Sequence, residues 1–196
     1  MKMIQKIKNF PAIVRQSPWG WTWVGLYLTL HYSLVPLIPT VEMWLYEVMN
    51  GVEHVERIVN AVLAVVLAGV VGLVLLRAKR RIMALAFLGI AALTALTITT
   101  NPDERVHFVQ YAILAMLIHH AHPARDRQGL IDIMTLVMFA GLADEILQFL
   151  LPDRYFDLRD AFMDTMGGAV GLGLILAFKP IPTRPGDPGT PGTDAV

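Results

Sequence analysis

The chain has 196 residues, of which 55% are hydrophobic and only 16% are charged, whereas an ordinary soluble domain carries about 25% charged residues. Its 16 Lys and Arg residues equal its 16 Asp and Glu residues in number, so it lacks the basic field that attracts nucleic acid. The absence of cysteine excludes disulfide scaffolds and cysteine-ligated zinc or iron–sulfur sites. The composition predicts an all-α, polytopic helical bundle in contact with the lipid bilayer.

Six charge-poor stretches are long enough to be transmembrane helices, which need about 20 mainly apolar residues. The first stretch follows a basic N-terminal region, but it is too long for the apolar part of a signal peptide and no cleavage site follows it, so we interpret it as a retained span. Residues 1–178 therefore form one predicted six-span membrane domain. The spans cover roughly residues 19–39, 58–76, 82–100, 106–121, 129–151 and 158–178.

Two further segments lie outside these spans. Residues 41–56 place apolar side chains on one helical face, with Glu42, Glu53 and Glu56 opposite, which predicts an amphipathic helix along the outer membrane surface. Residues 179–196 are rich in proline and glycine. Because such a composition cannot form a helix or a core, it predicts an extended or disordered cytoplasmic tail.

The Lys and Arg residues fall unequally on the two predicted sides of the membrane. Only four of the 16 lie on one side, namely Arg57, Arg105, Arg154 and Arg159, and the other 12 lie on the opposite side. Short loops rich in these residues remain in the cytoplasm. The imbalance predicts a multi-pass protein of the bacterial inner membrane with both termini in the cytoplasm.

The fifth predicted span carries polar residues within the membrane. Asp144, Glu145 and Gln148 lie one to two helical turns from its outer end. An ionised side chain at the bilayer centre costs about 2.5–3.5 kcal/mol on insertion scales, and the negative end of the helix dipole also disfavours an acid there. We therefore expect groups from other spans to compensate these residues.

The outer ends of the fourth and sixth spans supply the candidates for that compensation. Glu104, His107 and Tyr111 share one face of the fourth span through their i, i+3 and i+7 spacing. Asp160 and Asp164 are i, i+4 neighbours in the sixth span, where like charges repel. We predict one extracytoplasmic-facing polar cluster, with a binding or a structural role, formed by Glu104, His107, Tyr111, Asp144, Glu145, Gln148, Arg154, Asp160 and Asp164.

Simpler interpretations stay open for some polar residues. Glu104 fits a capping-box residue at a helix start, and His107 fits a core histidine that one neighbour satisfies. His31 in the first span is interpreted as a polar contact between helices. Gly167 and Gly171 have the spacing that allows another helix to approach the sixth span closely.

Three blocks of this sequence resemble the VanZ-like family of small, multi-span bacterial membrane proteins. The resemblance covers roughly residues 100–178 and departs from the family pattern at Asp164, where that pattern usually has Asn. Because the family takes its name from a protein linked to low-level teicoplanin resistance, the resemblance implies a role in the cell envelope. It implies no particular reaction. The blocks are Glu104-Arg105-Val106-His107-Phe108-Val109-Gln110-Tyr111, Asp144-Glu145-Ile146-Leu147-Gln148, and Pro152-Asp153-Arg154 followed by Asp160, Gly167 and Gly171.

Three functions remain open from the sequence. In the first, a cell-envelope protein without established catalysis binds a polar headgroup, such as a lipid-linked cell-wall precursor. Arg154 then pairs with Asp160 or Asp144, and His107 carries the mobile proton. We favour this function and expect neither a metal nor another cofactor.

The two alternatives give the polar cluster a different role. In one, the chain is a structural or accessory subunit of a larger respiratory or photosynthetic membrane complex, and a neighbouring subunit orders the tail. In the other, it is a metal-dependent membrane enzyme, because Glu104 and His107 have the i, i+3 spacing of di-iron carboxylate bundles. Those bundles use two such motifs, and this chain has one.

Overall fold

The computed structural model describes residues 17–99, 102–152 and 154–179, and within these ranges every regular element is helical. This confirms the predicted all-α class. The basic N-terminal region and residues 180–196 of the predicted tail lie outside the described residues. The elements are α1 Pro18–Leu34, a 3-10 turn Val35–Leu37, α2 Ile38–Val48, α3 Val52–Arg77, α4 Arg81–Ile98, α5 Pro102–Ala121, α6 Arg127–Phe149 and α7 Leu158–Phe178.

Four helical stretches of the described chain are long and apolar enough to cross a membrane: Pro18–Val48, Val52–Arg77, Arg81–Ile98 and Leu158–Phe178. In each of the first three, no more than 11% of an apolar 18-residue segment is buried inside the protein, whereas 61% of such a segment is buried in the fourth. The first three therefore present most of their apolar surface outward, as helices in contact with lipid do. Their length and composition support a membrane protein.

The predicted fourth and fifth spans form α5 and α6, which are more polar than these four stretches. In the last turns of α6, Asp144, Glu145 and Gln148 lie on its buried side. Its exposed side carries apolar side chains, namely Ile131, Met138, Phe139, Ile146 and Phe149. This is the arrangement expected of a membrane helix that turns its polar residues towards the interior of a bundle.

The predicted amphipathic segment 41–56 is divided between two helices. The helix that begins at Pro18 continues through the 3-10 turn and ends at Val48. Asn50 and Gly51 follow with φ angles of 57° and 127°, a backbone conformation that glycine adopts readily and most other residues avoid. Residues 52–56 therefore form the first turns of α3, and the single helix expected over 41–56 is interrupted.

The core is built around α5 and α7, which run side by side in the same direction. Gly167 faces the backbone of Phe108, and one turn later Gly171 faces that of Ala112. A Cβ atom at Gly167 would lie 2.7 Å from the carbonyl oxygen of Phe108, and one at Gly171 would overlap the carbonyl oxygen of Ala112. Because glycine has no Cβ atom, the two backbones can approach this closely.

One end of the bundle collects the last residues of α5 and α7. The backbone N–H groups of Lys79 and Arg80, in the turn between α3 and α4, donate to the carbonyl oxygen of Ala177 in α7. Gly20, near the start of α1, packs against Ala121 at the end of α5. Since α5 and α7 are parallel, both contacts lie at the same end, which we call the Ala177 end.

The opposite end collects the first residues of α3, α5 and α7. The Arg105 guanidinium in α5 donates from Nη1 to Asn60 Oδ1 over 2.6 Å and from Nε to Thr99 Oγ1 over 2.9 Å. Asn60 lies near the start of α3, and Thr99 follows α4 directly. Successive long helices therefore run through the bundle in alternating directions. The polar groups of Asn60, Thr99 and Arg105 meet at the end where α5 begins.

Replacement of Gly171 tests the close contact between α5 and α7. We expect Gly171→Ala to lower the free energy of unfolding by about 1–3 kcal/mol, because a buried Cβ forces two backbones apart. Gly72 in α3 is the control, since a Cβ there would meet nothing within 4 Å and alanine favours a helix by up to about 1 kcal/mol. Thermal unfolding in detergent measures both variants, and equal stability of the two would contradict the packing.

Candidate functional site

A cavity of about 550 Å³ opens at the end of the bundle where α5 and α7 begin. Such a volume is typical of small-ligand sites, which measure about 300–1,000 Å³. Helices α1, α2, α5, α6 and α7 and the loop between α6 and α7 all contribute to its walls. The acids and bases on these walls are Glu42, Glu104, Asp144, Asp157, Asp160, Arg154, Arg159, His31 and His107.

His107 and Asp164 form the closest polar contact beneath this cavity. His107 Nδ1 in α5 lies 2.8 Å from Asp164 Oδ1 in α7, and the Asp164 side chain is fully buried. Gly141 in α6 leaves room for this carboxylate, since a Cβ atom there would lie 2.8 Å from Asp164 Oδ2. A buried carboxylate is stable only when it is paired or hydrogen-bonded, so His107 is the group from another helix that compensates Asp164.

Asp144 in α6 has a histidine partner from α1. Its carboxylate is 1% exposed, and Oδ2 lies 3.4 Å from His31 Nε2. The neighbouring tyrosines hold α1 in place: the Tyr27 hydroxyl donates to the carbonyl oxygen of Gln110, and the Tyr32 hydroxyl donates to that of Ala140. The contact interpreted for His31 from the sequence is thus a contact with the buried Asp144 of α6, and the sequence did not identify His31 as a site residue.

Some buried atoms of the site have no hydrogen-bond partner within the described part of the chain. They are Asp144 Oδ1, Asp164 Oδ2, His31 Nε2, Asp160 Oδ1, Gln110 Oε1 and the Tyr111 hydroxyl oxygen. The Tyr111 hydroxyl lies near Asp164 without a regular hydrogen bond, and the Tyr111 ring is stacked with that of His107 at a centroid distance of 6.2 Å. An unsatisfied buried polar group costs about 1–3 kcal/mol, so these atoms are incompletely compensated by the protein alone.

Glu145 is buried but well satisfied, and it lies away from the cavity wall. Its Oε2 accepts a 2.8 Å hydrogen bond from the backbone N–H of Asp157, and its Oε1 accepts one of 3.3 Å from Gln148 Nε2. The first bond joins α6 to the residue that precedes α7. Glu145 therefore holds the α6–α7 loop against α6, which is a structural role.

The arginine contacts differ from those expected from the sequence. Arg154 lines the cavity, but among the described residues no hydrogen bond or ion pair joins it to Asp144 or Asp160. Arg159 instead contacts Asp157, with 2.8 Å between its Nε and Asp157 Oδ2. This hydrogen bond lowers the pKa of Asp157, whose Oδ1 also accepts from the Arg159 backbone N–H and caps α7.

The structure brings the nine predicted cluster residues to one end of the bundle, at different depths. Asp164 and Tyr111 lie beneath His107, and Glu145 lies behind the α6–α7 loop. The remaining residues line the cavity: Glu104, His107, Asp144, Gln148, Arg154 and Asp160. His31 also lines it, and its only signal in the sequence is its place as a titratable residue inside an apolar span.

The fold and the site together define an all-helical membrane protein with a polar cavity at one end of its bundle. A family model described as VanZ/LLP1 matches residues 104–179, the region that contains α5, α6 and α7. The match confirms the resemblance seen in the sequence and supports a VanZ-like assignment for this region. Comparison with curated proteins and with solved structures found no match.

Variants of Glu145 test its role in holding the α6–α7 loop. We expect Glu145→Ala to destabilise the protein by about 1–3 kcal/mol, because it leaves the Asp157 N–H without its acceptor. Glu145→Gln keeps an acceptor oxygen and should recover most of that loss. Thermal unfolding and the rate of proteolysis within residues 150–157 measure the effect. Parent-like behaviour of Glu145→Ala would show that the loop is held by other contacts.

Proposed function

We propose that this chain is a six-span, VanZ-like protein of the bacterial inner membrane that binds the polar headgroup of an envelope lipid, a cell-envelope role without established catalysis. The cavity at the end of the bundle where α5 and α7 begin supports this proposal above all, because it combines a ligand-sized volume with a polar wall. It lies between helices whose outer faces are apolar. A lipid could therefore place its headgroup in the cavity while its chains stay in the bilayer.

The charges on the cavity wall favour one kind of headgroup. Five acids and two arginines line it, together with two histidines. Because the acids outnumber the arginines, the wall suits hydroxyl and amino groups better than a phosphate alone. A lipid-linked cell-wall precursor carries such groups on its sugar and peptide portions, so it is the class of ligand that we propose.

The proposed orientation places the cavity outside the cytoplasm. The cavity end carries Arg57, Arg105, Arg154 and Arg159, whereas the other Lys and Arg residues of the described ranges lie towards the Ala177 end, namely Arg77, Lys79, Arg80, Arg81, Arg125, Arg127 and Lys179. The helices α5 and α6, with 20 and 23 residues, are about 30 and 35 Å long at 1.5 Å per residue. That length is sufficient to cross the hydrocarbon core.

The alternative of an accessory subunit depends on the tail being ordered by a partner. Residues 180–196 lie outside the described ranges, and no observation on the described residues favours that alternative. We therefore base the proposal on the cavity.

Single cysteines test the orientation, because the chain has no cysteine of its own. Tyr155 is 71% exposed at the cavity end, and Arg125 is exposed between α5 and α6. We expect a membrane-impermeant maleimide to label Tyr155→Cys in intact spheroplasts and Arg125→Cys only after permeabilisation. The reverse pattern, or labelling of both variants in intact spheroplasts, would overturn the orientation.

Neutralising the cavity acids tests headgroup binding. The probe is a lipid-linked disaccharide–peptide precursor, and the bare polyprenyl diphosphate is the comparison. We expect the full chain in nanodiscs to bind the precursor more tightly, and Glu104→Gln combined with Asp160→Asn to weaken that binding at least about tenfold, which is 1.4 kcal/mol.

Glu53→Gln is the control for this experiment. Glu53 is an exposed first-turn acid of α3 that does not line the cavity. The control should bind like the parent. Equal affinity for the precursor and the bare diphosphate, or an unchanged affinity in the double variant, would contradict the proposed recognition.

A further inference from the structure

We infer that His107, Asp144 and Asp164, together with His31, form a site for a divalent transition-metal ion such as Zn²⁺ beneath the cavity. One ligand atom from each of His107, Asp144 and Asp164 lies within 4.8 Å of the others. Neither the headgroup proposal nor the VanZ-like assignment requires this site, so it stands apart from both.

The spacing of the donor atoms suits a single ion. His107 Nδ1 and Asp164 Oδ1 are 2.8 Å apart, and His31 Nε2 and Asp144 Oδ2 are 3.4 Å apart. Nitrogen and oxygen ligands lie about 2.0–2.2 Å from Zn²⁺, so two ligands of one ion are separated by about 3–4 Å. Small side-chain rotations would bring the more widely spaced donors within that range. The four ligands come from four different helices, so an ion would tie α1, α5, α6 and α7 together.

The unsatisfied atoms provide a second, independent observation. Asp144 and Asp164 are 1% and 0% exposed, yet Asp144 Oδ1 and Asp164 Oδ2 have no hydrogen-bond partner among the described residues, and His31 Nε2 has none either. Lone pairs on buried carboxylate and imidazole groups are the donors that a metal ion engages. Each of these two carboxylates therefore has one oxygen that the described protein leaves unpartnered and that a bound ion could engage.

The charged groups around the site also favour a bound cation. The guanidinium groups of Arg105 and Arg159 are engaged elsewhere, with Asn60, Thr99 and Asp157. Arg154 lines the cavity, but within the described part of the chain no hydrogen bond or ion pair joins it to Asp144 or Asp164. No described arginine therefore pairs with either buried carboxylate, and a divalent cation would offset their charge. Mixed imidazole and carboxylate ligands favour Zn²⁺, Mn²⁺ or Fe²⁺ over Mg²⁺, which prefers oxygen ligands.

The site is accessible from the cavity. His31, His107 and Asp144 line the cavity wall, and Asp164 lies directly behind His107. An ion could enter through the cavity. With His107, Asp144 and Asp164 alone as ligands it would keep a fourth position open towards the cavity, whereas His31 as a fourth ligand would close the site.

Titration of the full-length chain with Zn²⁺ alone tests this inference. The protein is purified in detergent with a tag free of histidine, stripped with a chelator, and followed by calorimetry, with Co²⁺ absorption as a spectroscopic check. We expect one saturable ion per chain and a higher unfolding temperature in the ion-bound protein. His107→Gln and Asp164→Asn should each weaken binding about 10–100-fold, the loss seen when a metal site is damaged.

Two controls keep the outcome decisive. His119 and His120 at the Ala177 end are a second set of imidazoles, and replacing both with alanine should leave the affinity unchanged. Asp144→Asn is a further site variant of nearly equal shape, whose folding is checked by size exclusion and circular dichroism. Parent-like Zn²⁺ affinity in folded His107→Gln, Asp164→Asn or Asp144→Asn, or loss of binding only in the His119/His120 variant, would overturn the site.

Discussion

The burial of carboxylates between α6 and α7 is the constraint on which the rest of the structure depends. Asp144, Glu145 and Asp164 are at most 1% exposed, and an ionised carboxylate in an apolar interior is costly unless it is compensated. Each has a compensating group from outside its own helix: His31 for Asp144, the Asp157 backbone for Glu145 and His107 for Asp164. These contacts explain why α1, α5 and α6 converge where α7 begins.

The small residues of the core make these pairings geometrically possible. Gly167 and Gly171 let the backbones of α5 and α7 approach closely, which brings His107 to Asp164. Gly141 leaves space in α6 for the same carboxylate. Close packing and charge compensation are therefore coupled, because a larger residue at any of these positions would separate the helices that supply the partners.

The acids of the site divide into groups with different environments. Glu145 is hydrogen-bonded inside the protein and stabilises a loop. Glu104 and Asp160 face the cavity, where they can interact with a bound headgroup. Asp144 and Asp164 lie deeper, beside the histidines, where an ion would bind. The headgroup proposal is tested through Glu104 and Asp160, and the ion proposal through His107, Asp144 and Asp164, although His31, His107 and Asp144 also line the cavity.

The sequence by itself determined the all-α class, and it singled out the polar residues that are proposed to form the cluster. A charged residue inside an apolar run can be recognised from the sequence alone, because placing a charge in a membrane costs free energy whatever the rest of the fold is. For that reason Asp144, Glu145 and Asp164 could be identified as unusual, and the VanZ-like resemblance could be read from the blocks around them.

Only the tertiary structure decided which groups these acids meet. His31 faces Asp144, although the two residues are far apart in the sequence. Arg154 lines the cavity without the expected pairing, and Glu145 secures a loop. Such contacts depend on how whole helices rotate and pack against one another. In this protein α5 and α7 run parallel, and glycines of α7 contact the backbone of α5. Hydrophobicity and charge along one helix do not specify that arrangement, because many packings bury the same residues.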